Sequence, residues 1–219
     1  MSCVIWMPCT SATIALQYRK ILNRFALETG GDMDFVNWQG HDFSFRGMAG
    51  LEAAMMSGAG HLLSFTGTDT IPAIDFLEKY YNANSDLELV GGSVPATEHS
   101  VMCMGTQNDE TGTFRRLINE TYPTGIVSIV SDTWDFWKVI TEFVPELKQD
   151  ILSRDGKVVI RPDSGDPIKI ICGDPEAEVG SPEFKGAVEC LWETFGGTPT
   201  EMGYKLLDQH IGIIYGDSI

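Results

Sequence analysis

The sequence has few basic residues and no long hydrophobic run. Its 219 residues include 15 Lys and Arg against 31 Asp and Glu, so the formal net charge is −16. This charge repels nucleic acids and anionic membranes, and an anionic ligand would therefore require a local cluster of cations. No apolar run approaches the roughly 18 residues that cross a bilayer, and the amino-terminal residues lack the cationic region of a signal peptide. We expect a cytoplasmic protein that contacts neither nucleic acid nor membrane.

The sequence also lacks paired cysteines and several common catalytic motifs. Its five cysteines include no C-x-x-C pair, so neither a zinc site nor a full disulfide framework is indicated, and a reducing compartment fits best. No G-x-G-x-x-G, P-loop, G-x-S-x-G or H-E-x-x-H motif is present. Dinucleotide-binding, NTPase, hydrolase and zincin functions are therefore without their signatures. The hydrophobic content of 43% is ordinary for a globular core.

What the sequence does contain is a recurring pattern of short apolar segments followed by polar residues. Candidate strands of this kind occupy residues 61–65, 87–90, 126–130, 158–160 and 211–215. Helical spacing of apolar residues separates them, so the sequence predicts parallel β/α units. Polar residues after successive strands favour a (β/α) barrel with its site on one rim, and an open doubly wound sheet is the alternative.

The first predicted element is an amphipathic helix. Thr10 or Ser11 can cap its start, and Gly30-Gly31 ends it. A second helix is predicted over residues 49–56. The apolar positions of the first helix follow helical spacing and are Ile14, Tyr18, Ile21, Leu22 and Phe25.

The stretch from residue 158 to residue 167 is the most informative single segment. Val158, Val159 and Ile160 are consecutive β-branched residues, as expected of a buried strand. Arg161 then supplies a cation and Asp163 a carboxylate at the strand's carboxyl end, where α/β enzymes place their chemistry. Taken alone, a strand followed by an ordinary turn is an equally good interpretation.

The residues that follow the predicted strands combine an aromatic ring, cations and carboxylates. An aromatic face can stack on a flat heterocycle, Arg suits phosphate oxygens, and carboxylates can bind ribose hydroxyls, an amide N–H or magnesium. This combination indicates a ligand with a ring and phosphates. Taken singly, His99 is better explained as a capping residue and Asp69 as a helix N-terminal carboxylate. The full set is Phe43, Arg46, Asp69, His99, Asp132, Arg161, Asp163 and Asp217.

Several segments, spread in order through the chain, match one known family. They are His41-Asp-Phe-Ser-Phe-Arg-Gly47, Phe65-Thr-Gly-Thr-Asp-Thr70, Ser93-Val-Pro-Ala-Thr-Glu-His-Ser100, Val130-Ser-Asp132, Ile160-Arg-Pro-Asp-Ser-Gly165, Gly203-Tyr-Lys-Leu-Leu207 and Tyr215-Gly-Asp217. On these segments the chain resembles the nicotinate/nicotinamide phosphoribosyltransferase family, and within it the members that use nicotinamide. The resemblance implies a type II phosphoribosyltransferase barrel as the fold.

The resemblance also implies how the chain recognises its base. Phe43 matches the aromatic residue that stacks on the nicotinamide ring, and Asp69 matches the acceptor of the carboxamide N–H. A carboxylate at Asp69 would repel the carboxylate of nicotinate, so it favours the amide over the acid.

Further matches surround the phosphates and the sugar. Arg46, His99 and Arg161 match positions around the diphosphate, with Arg161 also near the carboxamide, and Asp132 matches an acidic position near the same site. Pro162 is expected to hold Arg161 and Asp163 apart, so that the two meet different parts of the ligand. The implied catalytic residues are His99, Arg161 and Asp163, and the implied nucleotide-binding residues include Pro162, Asp163, Gly216 and Asp217.

The implied reaction displaces pyrophosphate from phosphoribosyl pyrophosphate by the nicotinamide ring nitrogen, which gives nicotinamide mononucleotide for NAD salvage. The family uses Mg2+, for which no ligand residue is assigned here, and couples ATP hydrolysis to the reaction through a phosphorylated histidine that His99 matches. The expected partners are nicotinamide, phosphoribosyl pyrophosphate and a second copy of the chain in a homodimer.

The sequence departs from the family pattern at both ends. The family's later glycine-rich phosphate-binding segment has no match, nor has the amino-terminal part with its ring-sandwiching tyrosine. We therefore expect a central fragment: residues 1–35 as a helical remnant of an N-terminal α+β domain, and residues 36–219 as an incomplete barrel. The alternatives are a nicotinate phosphoribosyltransferase, against which Asp69 argues, and a non-catalytic nucleotide-binding or split-enzyme fragment that needs a second polypeptide.

Overall fold

The computed structural model describes residues 2–216, with side chains from residue 6 onward. The structure is mixed α/β, and its longest strands are parallel. The chain divides into two compact units, Met1–Ser93 with Thr200–Tyr204, and Val94–Pro199 with Lys205–Ile219. The sequence-based boundary at residue 35 concerns where a barrel domain begins, and it stays a prediction.

The first unit packs helices around a pair of short strands. Helix α1 spans Ser2–Thr29, α2 spans Leu51–Leu62 and α3 spans Pro72–Tyr81. Strand β1 (His41–Asp42) pairs in parallel with β2 (Gly67–Thr68). Short 3-10 helices at Phe35–Trp38 and Ser44–Gly47 flank β1.

Helix α2 lies close to both neighbouring helices because it carries small residues. A Cβ atom on Gly58 would lie 2.8 Å from the Ala73 Cβ of α3, and one on Gly60 would lie 2.6 Å from the Pro8 carbonyl oxygen of α1. Both distances are shorter than real side chains allow, so glycine is what lets the backbones approach this closely.

The second unit is built on a parallel sheet. Strands β3 (Thr124–Val130), β4 (Asp155–Arg161) and β7 (Ile211–Ile213) lie in the order β3-β4-β7. Val130 is the register partner of Arg161, so β3 and β4 end at the same edge. Beside β3, Ser128 donates its N–H to the Pro95 carbonyl and accepts the Thr97 N–H, which places the chain before residue 98 parallel to β3.

Short helices cover this sheet, and an antiparallel hairpin follows them. Two π-helical segments, Leu117–Thr121 and Val139–Phe143, continue the helices that end at Arg116 and Lys138. The core consists mainly of β-branched and leucine residues from the strands and the covering helices, including Ile118, Val127, Ile129, Ile140, Val158, Ile160 and Leu191. The helices and the hairpin strands are α4 (His99–Met104), α5 (Glu110–Arg116), α6 (Phe136–Lys138), α7 (Val144–Glu146), α8 (Lys148–Leu152), α9 (Pro167–Cys172), α10 (Pro182–Lys185), α11 (Ala187–Phe195), β5 (Gly197–Pro199) and β6 (Lys205–Leu207).

The predicted strands are confirmed where β-branched residues dominate. Those at 126–130 and 158–160 lie within β3 and β4, and the one at 211–215 ends earlier, at Ile213. The prediction at 61–65 is wrong because His61 and Leu62 complete α2, and a short apolar run does not by itself distinguish helix from strand. The prediction at 87–90 is also wrong: this segment forms no strand, and Leu87 is 84% exposed.

Helix α1 differs from its prediction at its start and on its buried face. It begins at Ser2 rather than after Thr10, with Pro8 inside it. Of the predicted apolar stripe, Ile14 and Phe25 are about half exposed, whereas Ala15 is buried. The α1 residues beside Gly60 of α2, namely Ser11 and Ala12, are small, in keeping with the small residues of α2 itself.

Within residues 2–216 the strands form separate sheets and do not close into a barrel. The predicted α/β class with parallel strands is confirmed, whereas the predicted barrel is not seen within these residues. Among the helices described, none combines the length and the apolar character that crossing a membrane demands.

Candidate functional site

In the first unit, predicted site residues follow strands that end at one sheet edge. Phe43 follows β1 and Asp69 follows β2, and the Asp69 N–H donates to the Asp42 carbonyl at 2.9 Å. The Thr68 N–H donates to the Gly92 carbonyl, also at 2.9 Å, so Ser93 emerges at the same edge. Parallel pairing of residues far apart in sequence thus gathers these side chains.

His41 connects the two predicted base-binding residues. Its Nε2 atom lies 2.8 Å from Asp69 Oδ1, and its ring centroid lies 4.5 Å from that of Phe43 at an interplanar angle of 33°. The Ser93 hydroxyl donates to the same Asp69 oxygen at 2.5 Å. Arg46 is exposed in the 3-10 helix that follows Phe43. We call His41, Phe43, Asp69 and Ser93 the base cluster.

A buried carboxylate supports the loop that carries Arg46. Asp42 is 7% exposed and accepts the Ser44 N–H at 2.9 Å. Burial raises the pKa of Asp42, but hydrogen bonds from Ser44 and Thr70 outweigh it and lower the pKa below its usual value. For the nearby His61, burial disfavours the charged imidazolium and lowers the pKa below its usual value. The His61 Nε2 atom lies 3.0 Å from the Gly67 carbonyl oxygen. These interactions fix the backbone on both sides of the base cluster.

In the second unit, the remaining predicted residues follow the strands of the parallel sheet. His99 comes after the segment beside β3, Asp132 after β3, Asp163 after β4 and Gly216 after β7. Strands that run in parallel place their carboxyl ends at one edge, which brings these side chains together. We call Glu98, His99, Asp132, Arg161, Asp163, Ser164 and Gly216 the charged cluster.

Arg161 and Asp163 form an ion pair at the centre of the charged cluster. The Arg161 Nε and Nη2 atoms lie 3.1 and 3.3 Å from the two Asp163 carboxylate oxygens, and Glu98 Oε1 lies 3.6 Å from Nη2. Burial and the neighbouring Asp132 raise the pKa of Asp163, whereas Arg161 and His99 oppose that rise, with a net upward shift. The expectation that Pro162 holds Arg161 and Asp163 apart is wrong, because residues two apart on extended chain share one face.

His99 lies between two carboxylates. Its Nε2 is 3.3 Å from Asp132 Oδ1 and its Nδ1 is 4.0 Å from Asp163 Oδ2, while 46% of its side chain is exposed. Asp132 Oδ2 accepts the Asp163 N–H at 2.9 Å and the Ser164 hydroxyl. Each ring nitrogen therefore faces a carboxylate, and about half of the side chain remains accessible.

Gly216 packs directly against the ion pair. Its N–H donates to the Pro162 carbonyl at 3.0 Å, and a Cβ atom at this position would collide with the Asp163 carboxylate. Only glycine allows the backbone to pass so close to the carboxylate. Asp217, the last predicted residue, lies outside the described residues.

The carboxylates of the charged cluster suit a magnesium ion that arrives with a diphosphate. Asp132 lies close enough to Asp163 to contribute to the raised pKa of that carboxyl. No group of three or more His, Cys, Asp or Glu within the described part of the chain could hold a metal ion without other ligands. Magnesium commonly takes one or two carboxylates and completes its shell with substrate phosphates and water, so the donor set fits such a complex.

Sequence reasoning missed four residues that contact the predicted ones. These are His41 and Ser93 in the base cluster, and Glu98 and Ser164 in the charged cluster. Each lies within two residues of a predicted site residue or in the same matched segment. Their closeness in sequence to predicted site residues could therefore have marked them as candidates. Their actual partners depend on strand register, which the sequence does not specify.

Comparison with known proteins identifies the family. Residues 38–219 match the model of the nicotinate phosphoribosyltransferase (NAPRTase) family. The chain is 59% identical over its whole length to a nicotinamide phosphoribosyltransferase from Acinetobacter baylyi, and 38% identical over 98% of its length to one from Mycoplasma pneumoniae. A protein of the same name from Xanthomonas campestris is 33% identical over 98% of the chain.

In each comparison the chain spans less than half of the relative, namely 44% of the Acinetobacter and Mycoplasma pneumoniae proteins and 43% of the Xanthomonas protein. The family match nevertheless covers most of the chain, including every residue of the base cluster and of the charged cluster. The resemblance read from the short segments is thereby confirmed, and the chain belongs to the nicotinate phosphoribosyltransferase family.

Proposed function

We propose that this protein transfers the 5-phosphoribosyl group from phosphoribosyl pyrophosphate to nicotinamide, giving nicotinamide mononucleotide and pyrophosphate for NAD salvage. The observation that carries the proposal is the 59% identity, over the whole chain, to a relative named nicotinamide phosphoribosyltransferase. The two side-chain clusters are chemically suited to the two halves of this reaction.

The base cluster suits nicotinamide. The Phe43 ring offers a face on which a pyridine ring can stack, and Asp69 offers a carboxylate acceptor for the carboxamide N–H. A nicotinate carboxylate at the same place would face the negative charge of Asp69, which disfavours it. Phe43 and Asp69 both contact His41, so they belong to one connected group.

The charged cluster suits the phosphoribosyl donor. Arg161 supplies a cation that a diphosphate requires, against the acidic surface as a whole. Asp132, Asp163 and the Pro162–Gly216 backbone supply acceptors and a close-packed wall for a ribose and its nucleotide product.

The bond changes balance without a protein nucleophile. The ring nitrogen of nicotinamide uses its lone pair to form the bond to the anomeric carbon, while the bond from that carbon to the diphosphate oxygen breaks and the diphosphate leaves with its electron pair. Stacking on Phe43 would orient the nicotinamide ring, and Arg161 and His99 would stabilise the charge that builds on the leaving group. When bound, Mg2+ would neutralise part of the diphosphate charge. Asp132 and Asp163 are the residues that would hold it.

Coupling to ATP is part of the proposal and rests on His99. Its imidazole is 46% exposed and contacts Asp132 on one nitrogen, so a carboxylate can orient the ring. A ring nitrogen would attack the γ-phosphorus of ATP, ADP would leave, and hydrolysis would return His99 and phosphate. Mass spectrometry of the protein incubated with ATP, with His99→Ala as control, tests for the phosphorylated form.

We further propose the type II barrel, the homodimer and the cytoplasmic location. The parallel strands and the polar residues at their carboxyl ends support the fold. Free thiols at Cys9, Cys103, Cys172 and Cys190 support a reducing compartment. Sedimentation analysis of the complete gene product tests the dimer.

The decisive test measures nicotinamide mononucleotide formed from nicotinamide, phosphoribosyl pyrophosphate and Mg2+ by the complete gene product. We expect product with nicotinamide, and a loss of preference over nicotinate in Asp69→Asn. A wild-type preference for nicotinate would instead support the nicotinate-using alternative. Product formed only after a second polypeptide is added would support the split-enzyme alternative.

A further inference from the structure

His41 links the Phe43 ring to the Asp69 carboxylate in the base cluster. It lies in β1, its side chain is 11% exposed, and it touches both the Phe43 ring and the Asp69 carboxylate. A residue in this position affects the orientation of both groups without having to contact the ligand.

The position of the His41 ring is set by the strand pairing. His41 is the register partner of Gly67 in the parallel pair of β1 and β2. A Cβ atom on Gly67 would lie 2.7 Å from His41 Nδ1, closer than real side chains approach, so the imidazole occupies the space that glycine leaves. Asp69 lies two residues after Gly67, and the His41 ring directs its Nε2 atom toward the Asp69 carboxylate.

The Asp69 carboxylate is held by two donors on one oxygen. Its Oδ1 accepts from the Ser93 hydroxyl at 2.5 Å and lies 2.8 Å from His41 Nε2. A tautomer that carries its proton on Nε2 donates a hydrogen bond to this carboxylate. Two bonds from different directions also fix the rotation of the carboxylate plane.

We propose that His41, assisted by Ser93, is a positioning residue for the choice between amide and acid. By donating to Asp69 Oδ1 it holds an ionised carboxylate in the orientation that accepts an aromatic carboxamide N–H and repels an aromatic carboxylate. This inference rests on the proposed function, and in particular on the role of Asp69 in binding nicotinamide.

Two substitutions of His41 separate its ring from its donor. His41→Phe keeps a ring beside Phe43 and removes the donor, whereas His41→Gln keeps a nitrogen donor with similar reach and removes the ring. In the complete gene product, we expect His41→Phe to lower kcat/KM for nicotinamide on the order of 10- to 100-fold, the range of one hydrogen bond to a charged group. The loss should lie mainly in KM, and kcat/KM for nicotinate should rise or stay constant. His41→Gln should keep the wild-type ratio of the two values within about three-fold.

A matched control exists in the second unit. His210 Nδ1 lies 2.8 Å from Asp208 Oδ1, the same separation as between His41 and Asp69. His210→Phe removes an equivalent histidine and should leave the ratio of nicotinamide to nicotinate unchanged. Gly67→Ala tests the same contact independently, because it displaces the His41 ring without altering any donor. It should lower the ratio of kcat/KM for nicotinamide to kcat/KM for nicotinate, as His41→Phe does.

The outcomes separate this inference from the proposed function. If the wild-type protein shows no preference for nicotinamide, the proposed function fails. If Asp69→Asn abolishes the preference but His41→Phe leaves the ratio unchanged, only the inference fails. Equal losses on both substrates in His41→Phe and His41→Gln would assign His41 a merely structural role and would also overturn the inference.

Discussion

The two clusters reach their geometry in different ways. The base cluster follows strands of two residues, and Asp69 and Ser93 are exposed, so hydrogen bonds and one ring contact hold it together. The charged cluster follows seven-residue strands with a buried core, and its central Arg161 is 3% exposed. A neutral ring ligand can be positioned by directional contacts near water, whereas a cation for a diphosphate is placed where its charge is least screened.

This difference predicts that substitutions in the two units have different costs. Removing a buried charge in the second unit should lower the free energy of unfolding most, and removing a hydrogen bond to a carboxylate in the first unit should lower it less.

Arg161→Ala should have the largest effect because it removes a buried cation and leaves the partly buried Asp163 carboxylate without it. Removing one partner of a buried ion pair typically costs about 3–5 kcal/mol of unfolding free energy, and urea denaturation measures it. Arg115 and Glu146 form an ion pair at 2.8 Å with both side chains about half exposed, so Arg115→Ala is the matched control and should change little. Equal effects of the two variants would remove burial as the explanation.

Glu110 should make the second unit less stable as pH rises. Burial raises its pKa to about 7, with Asp135 adding to the shift and Lys138 opposing it, against an ordinary value of 4.5. The folded state therefore holds a proton that the unfolded state releases, so this stabilisation is present below about pH 4.5 and is lost as pH rises through about 7. The expected change over this window is on the order of 2 kcal/mol.

The pH dependence can be isolated with Glu110→Gln, which keeps the shape and cannot ionise. Thermal unfolding between pH 5 and 8 should show a flatter profile in this variant than in wild type. Glu176→Gln, at a side chain that is 83% exposed, is the control. An unchanged slope in Glu110→Gln would assign the pH dependence to other groups.

Asp42 should give the first unit the opposite pH dependence. Its pKa is lowered, so its stabilisation is present above its ordinary value of 3.8 and is lost as pH falls through the lowered pKa. Asp42→Asn removes the charge from the acceptor of the Ser44 N–H and should cost about 1–2 kcal/mol. Hydrogen exchange of residues 44–62 would locate the effect, and faster exchange confined to the second unit would contradict it.

The smallest expected effect concerns the helix after the charged cluster. Asp166 Oδ1 accepts the N–H groups of Ile168 and Lys169 at 2.9 and 3.2 Å, which caps α9. Asp166→Ala should cost about 1 kcal/mol, whereas Asp166→Asn should cost much less, because asparagine caps helices nearly as well. Chemical denaturation of the two variants side by side measures the difference.

The contrast between the units also explains what the sequence could predict. Strands β3 and β4 were predicted because consecutive β-branched residues favour a covered strand. The two-residue strands β1 and β2 carry no such pattern, and the apolar run at residues 61–65 instead continues a helix that its small residues hold in place.

The types of the site residues were predictable, but their partners were not. Polar residues after parallel strands indicated a shared edge, and matched segments supplied candidate roles. The contacts between His41 and Asp69, between Arg161 and Glu98, and between Ser164 and Asp132 depend on which strands pair and in which register. The expectation about Pro162 failed for a local reason, since alternate residues of extended chain point to the same side.

An anion that binds Arg161 has to share a guanidinium that already serves Asp163. Arg161 lowers the pKa of Asp163 against burial and Asp132, so a diphosphate that draws on the same cation weakens this influence and the carboxyl takes up a fraction of a proton. In the absence of Mg2+, anion binding would therefore be coupled to proton uptake from the buffer, and calorimetry in buffers of different ionisation enthalpy would measure it. Through this exchange of ionic partners, the affinity for the anion would increase as the solution becomes more acidic.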